Sequence, residues 1–220
     1  MKKIIIVLLI LCMAYSVPSN AQADTWQTVS VLGICTFQIP PTMEIQKGNY
    51  KQGNEKFQKE ILEISITPDR VVAQQKGLNS FDPQALKRYS RVIVETVRGQ
   101  YGDYETLDKP LTASEEELLE INAMLKQQNQ QSASQSAAKG MKLKFLSWQP
   151  TKIIKVNGID ALKTSYTRSM NNGPPTIVNF YIIQNNDYMH RITISYRLSE
   201  ESLWATDLSK VINTFKFKKR

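Results

Sequence analysis

Apolar and polar residues follow two periods along this chain, and the periods assign most of its elements. Gln27 to Val31 and Cys35 to Ile39 read as short strands about Leu32-Gly33, the second stopped by Pro40-Pro41. Tyr50 to Lys59 is polar and punctuated by Gly53 and Asn54, which reads as a loop. Ile61 to Thr67 places Leu62, Ile64 and Ile66 on one face and polar residues on the other, a half-buried strand. Leu86, Tyr89, Ile93 and Val97 then recur at helical spacing behind a capping Asp82 and Pro83. This predicts a helix closed by Gly99 and Gly102, along which Glu95 pairs with Arg91 or Arg98.

A second helix is predicted from Thr112 or Ser114, the latter forming a capping box with Glu117, and Leu118, Ile121 and Leu125, with Leu119 beside them, are expected to face inward. Residues 126–140 are rich in Gln, Ser and Ala with no apolar stripe, so they read either as an exposed helix or as a flexible linker, and the linker is favoured. Strands follow. Met141, Leu143 and Phe145 alternate with lysines, Asn157-Gly158 marks a hairpin, and Asn171-Asn172-Gly173 and Asn185-Asn186-Asp187 mark two further turns. Thr176 to Gln184 is apolar on both faces, as in a central strand covered on both sides. Trp204, Leu208, Val211 and Phe215 form the buried stripe of a last helix. Meandering strands with helices between them predict an α+β fold, an antiparallel β-sheet with helices packed on its faces.

The first residues set the expected compartment. Lys2 and Lys3 precede an apolar run from Ile4 to Val17, and Ala21-Gln22-Ala23 supplies a small-residue cleavage pattern. Residues 1–23 therefore read as a signal peptide cleaved near Ala23/Asp24, with the mature chain periplasmic or secreted. Leu11 before Cys12 is not the small residue a lipoprotein signal carries, and no later stretch is long and apolar enough for a transmembrane segment. Residues 24–220 are expected to form a single domain with a helical, Gln/Ser-rich insertion at about 111–140. Cys35 is the only cysteine after the leader, which leaves no intramolecular disulfide, and its apolar neighbours predict a buried, inert thiol.

The formal net charge is +8, of which the leader lysines supply two positive charges. Lys216, Lys218, Lys219 and Arg220 concentrate basic residues at the C-terminus, a candidate for peripheral contact with anionic surfaces. Catalytic chemistry is sparse. His190 is the only histidine and sits on an apolar strand face. No phosphate loop, Gly-x-Ser-x-Gly elbow or His-Glu-x-x-His motif occurs, so no cofactor and no metal site is expected. The candidate anion- or partner-binding strip is Arg168, Arg191, Thr193, Ser195 and Arg197, with Lys163 on a neighbouring strand. No aromatic–arginine module indicates nucleic acid.

Four pieces carry a family resemblance: Thr36-Phe37-Gln38-Ile39-Pro40, Asn157-Gly158-Ile159-Asp160-Ala161-Leu162, Arg191-Ile192-Thr193-Ile194-Ser195, and Asn213-Thr214-Phe215-Lys216. From about Cys35 to Phe217 the sequence resembles the superfamily that joins PsbP with the Mog Ran-binding proteins and bacterial DcrB-type envelope proteins. The resemblance implies a PsbP-like α/β/α sandwich acting through protein binding and assembly, and it transfers no functional residue. The expected function is an exported, non-enzymatic binding or accessory protein of the bacterial envelope, with an envelope protein as partner. The rivals are a carboxylate- or Arg/Ser-based hydrolase and a peripheral binder of anionic envelope surfaces.

Overall fold

The computed structural model describes residues 25–60 and 69–219. The expected signal peptide, the strand expected at Ile61–Thr67 and Arg220 lie outside the described residues. The remaining chain forms β1 (Gln27–Val31), β2 (Cys35–Ile39), β3 (Met43–Ile45), α1 (Gly48–Glu60), β4 (Val71–Gln75), α2 (Pro83–Leu86) and β5 (Ser90–Arg98). Next come α3 (Glu115–Ala138), β6 (Leu143–Val156), β7 (Ile159–Met170), β8 (Thr176–Asn185), β9 (Tyr188–Arg197), α4 (Glu201–Asn213) and β10 (Lys216–Phe217). Seven strands make an antiparallel sheet in the order β3-β4-β5-β9-β8-β7-β6, and β1-β2-β10 make a smaller one.

The hydrophobic core lies on one face of the large sheet, between it, the small sheet and α4. Val92 and Val94 of β5 stand opposite Ile194 and Ile192 of β9 in the strand register. They pack with Phe37 and Ile39 from the small sheet and with Trp204, Leu208 and Val211 from α4. Phe37 and Phe215 stack at 4.8 Å with their planes 6° apart, which pins the end of α4 to β2. Every member of the predicted Trp204-Leu208-Val211-Phe215 stripe is buried. Cys35 is buried as expected, and burial pushes its thiol up to about 12.

Three expectations need correction. Residues Ser90–Arg98 are a strand, and only Pro83–Leu86 is helical behind the Asp82 cap, whose carboxylate accepts the Gln84 N–H at 2.8 Å. The helical spacing of Leu86, Tyr89, Ile93 and Val97 overlies a second pattern of period two. Ser90, Val92, Val94 and Thr96 are the residues actually buried, and a run of β-branched side chains favours the pleated conformation. Glu95 consequently pairs with Arg70 across β4 and β5, Nε to Oε1 at 2.9 Å, and not with a helical neighbour. Leu86 is exposed.

Secondly, the expected loop at Tyr50–Lys59 belongs to α1. Polar residues dominate it, so the apolar period is weak. It is held by Lys51–Glu55 at 3.7 Å and by an edge contact between Tyr50 and Phe81 at 5.7 Å. Thirdly, residues 126–138 continue α3 as a helix and not as a linker. The capping box supplies the costly nucleus: Glu117 N–H donates to Ser114 Oγ at 3.2 Å and Ser114 N–H to Glu117 Oε2 at 2.7 Å. Ala, Gln and Lys then propagate the helix with little local penalty. Gly140, at φ +80, ends it, and Met141 N–H reaches back to the Ser136 carbonyl at 2.9 Å.

The Asn157-Gly158 turn adopts φ values of 47° and 83°, the doubly left-handed geometry that this pair favours between antiparallel strands. β8 is an interior strand with Val178, Tyr181 and Ile183 buried, so both of its faces are covered in part. Among the described residues no helix is long and apolar enough to cross a membrane.

Candidate functional site

The face of the large sheet away from the core carries the polar chemistry. Alternation along β9 sends His190, Ile192, Ile194 and Tyr196 inward and Arg191, Thr193, Ser195 and Arg197 to this second face. The register extends that row across the sheet: Ser195 lies opposite Val178, which lies opposite Tyr166, while Arg197 lies opposite Thr176, which lies opposite Arg168. On the other side, Arg91 of β5 faces Ser195. Lys163 falls on the core face instead, its ammonium 5.6 Å from the centre of the Tyr181 ring, so it is no part of the strip.

Tyr89 organises the centre of this face. Its hydroxyl is 3.2 Å from Ser195 Oγ, and the Arg91 guanidinium lies 5.4 Å from its ring centroid. Burial pushes the phenol up, but the Arg91 and Arg168 charges and hydrogen bonds to Ser195 and Arg168 outweigh it. The hydroxyl is held below its ordinary value. The backbone N–H of Tyr89 donates to Glu200 at 3.2 Å, and the same carboxylate oxygen accepts from Trp204 at 2.8 Å. Among the described residues neither Arg91 nor Arg168 pairs with a carboxylate, and Arg91 Nε is buried without a hydrogen-bond partner.

A cleft of about 240 Å³ adjoins this cluster, floored by Trp148, Tyr166, Phe180 and Thr193 and roofed by α3. Its cause is visible in the helix sequence. The first half of the inward side of α3 carries Leu118, Ile121 and Leu125, which pack down; the second half carries Asn129, Ser132, Ala133 and Ser136, too short to fill the space. The floor is rigid. Trp148 and Tyr166 are cross-strand neighbours stacked at 5.2 Å and 7°, and Phe145 meets Tyr166 edge-on at 5.4 Å. Trp148 Nε1 donates to Asn122 at 2.7 Å, and the Thr151 and Thr164 hydroxyls share a hydrogen bond of 2.7 Å, which fixes the wall where β6 meets α3.

The five expected site residues share one face but not one role. Arg168 and Ser195 join Tyr89, and Thr193 lines the cleft. Arg197 is occupied by Glu200 at 3.5 Å and by the Lys87 carbonyl, while Arg191 stands exposed at the far end, opposite Glu95. Tyr89, Arg91, Tyr166, Trp148 and Phe180 were not on the candidate strip. The helical spacing of Leu86, Tyr89, Ile93 and Val97 masks the first two, and the alternation within Ser90–Val97 is the signal that places them.

His190 and Cys35 are both withdrawn from the surface. His190 Nδ1 is 3.2 Å from Thr96 Oγ1, its Nε2 is 3.5 Å from Asn185 Nδ2, and burial lowers its pKa to about 4. Among the described residues no group of three His, Cys, Asp or Glu side chains is placed to hold a metal ion. At the C-terminus, Lys219 Nζ contacts Asp108 at 2.6 Å, and this bond chiefly holds the Asp108 carboxyl down at about 2. Lys216 and Lys218 remain exposed.

No protein-family model matches the sequence, and no curated protein matches it. Solved structures are similar in fold. The solution structure of cyanobacterial PsbP (CyanoP) from Synechocystis sp. PCC 6803 aligns with 89% of this chain and 94% of that one, at a TM-score of 0.50 and 9% identity. A crystal structure from Bacteroides thetaiotaomicron VPI-5482 aligns with 90% of this chain at a TM-score of 0.47 and 7% identity, and this chain spans 50% of that protein's length. The fold is PsbP-like, an α+β arrangement of one seven-stranded antiparallel sheet, a smaller sheet and helices, as the sequence resemblance implied.

Proposed function

We propose that this chain is an exported, non-enzymatic binding protein of the bacterial envelope, and that it holds an anionic group of its ligand or partner at the Tyr89–Arg91–Arg168–Ser195 cluster. The observation that carries the reading is the pair of guanidiniums flanking one phenol with no carboxylate partner among the described residues. Both guanidiniums act on the same phenol, and an incoming anion offers planar oxygens to such forks. Export rests on the basic and apolar leader with its Ala21-Gln22-Ala23 pattern. A binding role rather than a catalytic one rests on where the reactive groups sit: the only imidazole and the only thiol outside the leader are both buried on the core side.

The test is retention of envelope components by the immobilised protein at native salt, beside an Arg91→Gln/Arg168→Gln variant. An acidic component kept by the wild type and lost by the variant is the expected result; equal retention by both sinks the reading. N-terminal sequencing of the cell-envelope form should begin at Asp24. The hydrolase alternative has one observation in its favour, the lowered Tyr89 phenol beside Ser195. Ester turnover abolished by Tyr89→Phe would establish it in place of simple binding.

A further inference from the structure

The cleft and the cation cluster are separate features that the strand register joins, and their spacing specifies a ligand. We propose that together they form a site for a small aromatic carboxylate, with its ring in the cleft beneath α3 and its carboxylate between Arg91 and Arg168. The inference rests on the anion-binding reading above and adds the chemistry of the rest of the ligand.

The cleft sets the body. Its floor is aromatic, Tyr166 and Phe180 flanked by Trp148, and a flat ring gains most by lying offset or edge-on against such faces. A volume of about 240 Å³ corresponds to about eight waters at ~30 Å³ each, which suits one ring with a short arm. Gln128 at the exposed edge and the Thr193 hydroxyl on the floor add hydrogen-bonding groups, which suits a polar arm better than a wholly apolar chain.

The strands set the distance. Thr193 and Ser195 are two residues apart on β9, and Tyr166 and Arg168 are two apart on β7, all four side chains on the same face. At ~3.4 Å per residue Ser195 therefore lies about 7 Å along β9 from Thr193, and Arg168 about 7 Å along β7 from Tyr166, both of which line the cleft. That is the reach of a ring carrying its carboxylate on a two- or three-atom arm, as in an arylpropionate or a phenylalanine residue. A guanidinium fork prefers such planar oxygens, and Arg91 Nε is a buried donor with its bond still to make. The same chemistry is presented by a free aromatic acid and by the C-terminal aromatic residue of a peptide.

Calorimetric titration of the full mature chain with 3-phenylpropionate, N-acetyl-phenylalanine and acetate tests this. Both aromatic carboxylates should bind saturably, at least tenfold tighter than acetate, and N-acetyl-phenylalanine tighter than phenylpropionate if a peptide terminus is the natural source. Ser132→Phe fills the cleft from an exposed helix position and should weaken the aromatic probes at least tenfold. Arg168→Gln should do the same by removing the carboxylate's partner. Unchanged unfolding midpoints in both variants show that the effect is local. If Ser132→Phe leaves the aromatic probes unaffected while Arg168→Gln weakens all anions alike, the anion site stands and the cleft assignment is overturned. If no probe binds, or neither variant alters binding, both readings fall.

Discussion

His190 offers the sharpest test of the fold, because its stability contribution is set by burial alone. The ring is fully buried beside Thr96, Asn185 and Phe217, with the Phe217 ring centre 4.9 Å away. Its pKa falls from 6.5 to about 4 through desolvation. The unfolded chain therefore binds a proton that the folded chain refuses, so stability is complete above the unfolded pKa and falls as pH drops through it. At 1.36 kcal/mol per unit, the loss attributable to His190 is about 2 kcal/mol at pH 5 and about 3 kcal/mol near pH 4, where it levels off. Urea unfolding followed by tryptophan fluorescence, on wild type and His190→Gln from pH 7 to pH 4, isolates the term, since carboxylates common to both cancel. The variant is expected to be the less stable at pH 7 and to gain on the wild type by about 2–3 kcal/mol by pH 4. A gap that stays constant across that range refutes the reasoning and means that the ring titrates as if in water.

Two further substitutions probe the elements that frame the site. Phe215→Ala removes a fully buried ring stacked on Phe37 and should cost about 3–5 kcal/mol, read from the urea midpoint at an unchanged m-value. Ser114→Ala breaks the capping box and should cost about 1 kcal/mol, with far-UV circular dichroism showing fraying along α3. Retention of full helicity in that variant would mean that packing alone nucleates the helix.

Wherever one pattern had no competitor, the sequence by itself determined the structure. The C-terminal meander follows from alternating apolar residues between Asn-containing turns, and α4 from Trp204, Leu208 and Val211 at helical spacing, with Phe215 just beyond its end. His190 facing the core and Ser195 facing away follow from period-two alternation on β9. The start of α3 follows from side chains that satisfy orphan N–H groups. Tertiary structure decided the rest, in each case because local preference was divided or weak. Pro83 to Val97 carries apolar residues at both spacings, and pairing with β4 and β9 selected the strand. That pairing alone brought Tyr89 and Arg91 beside Ser195 and Arg168, residues up to 106 positions apart in the chain. The polar half of α3 has no stripe to announce it, and it is a helix because propagation from a formed nucleus costs less than starting one. Its short side chains leave the cleft open over Tyr166 and Phe180. A void is a property of two surfaces meeting, and neither strand nor helix encodes it alone.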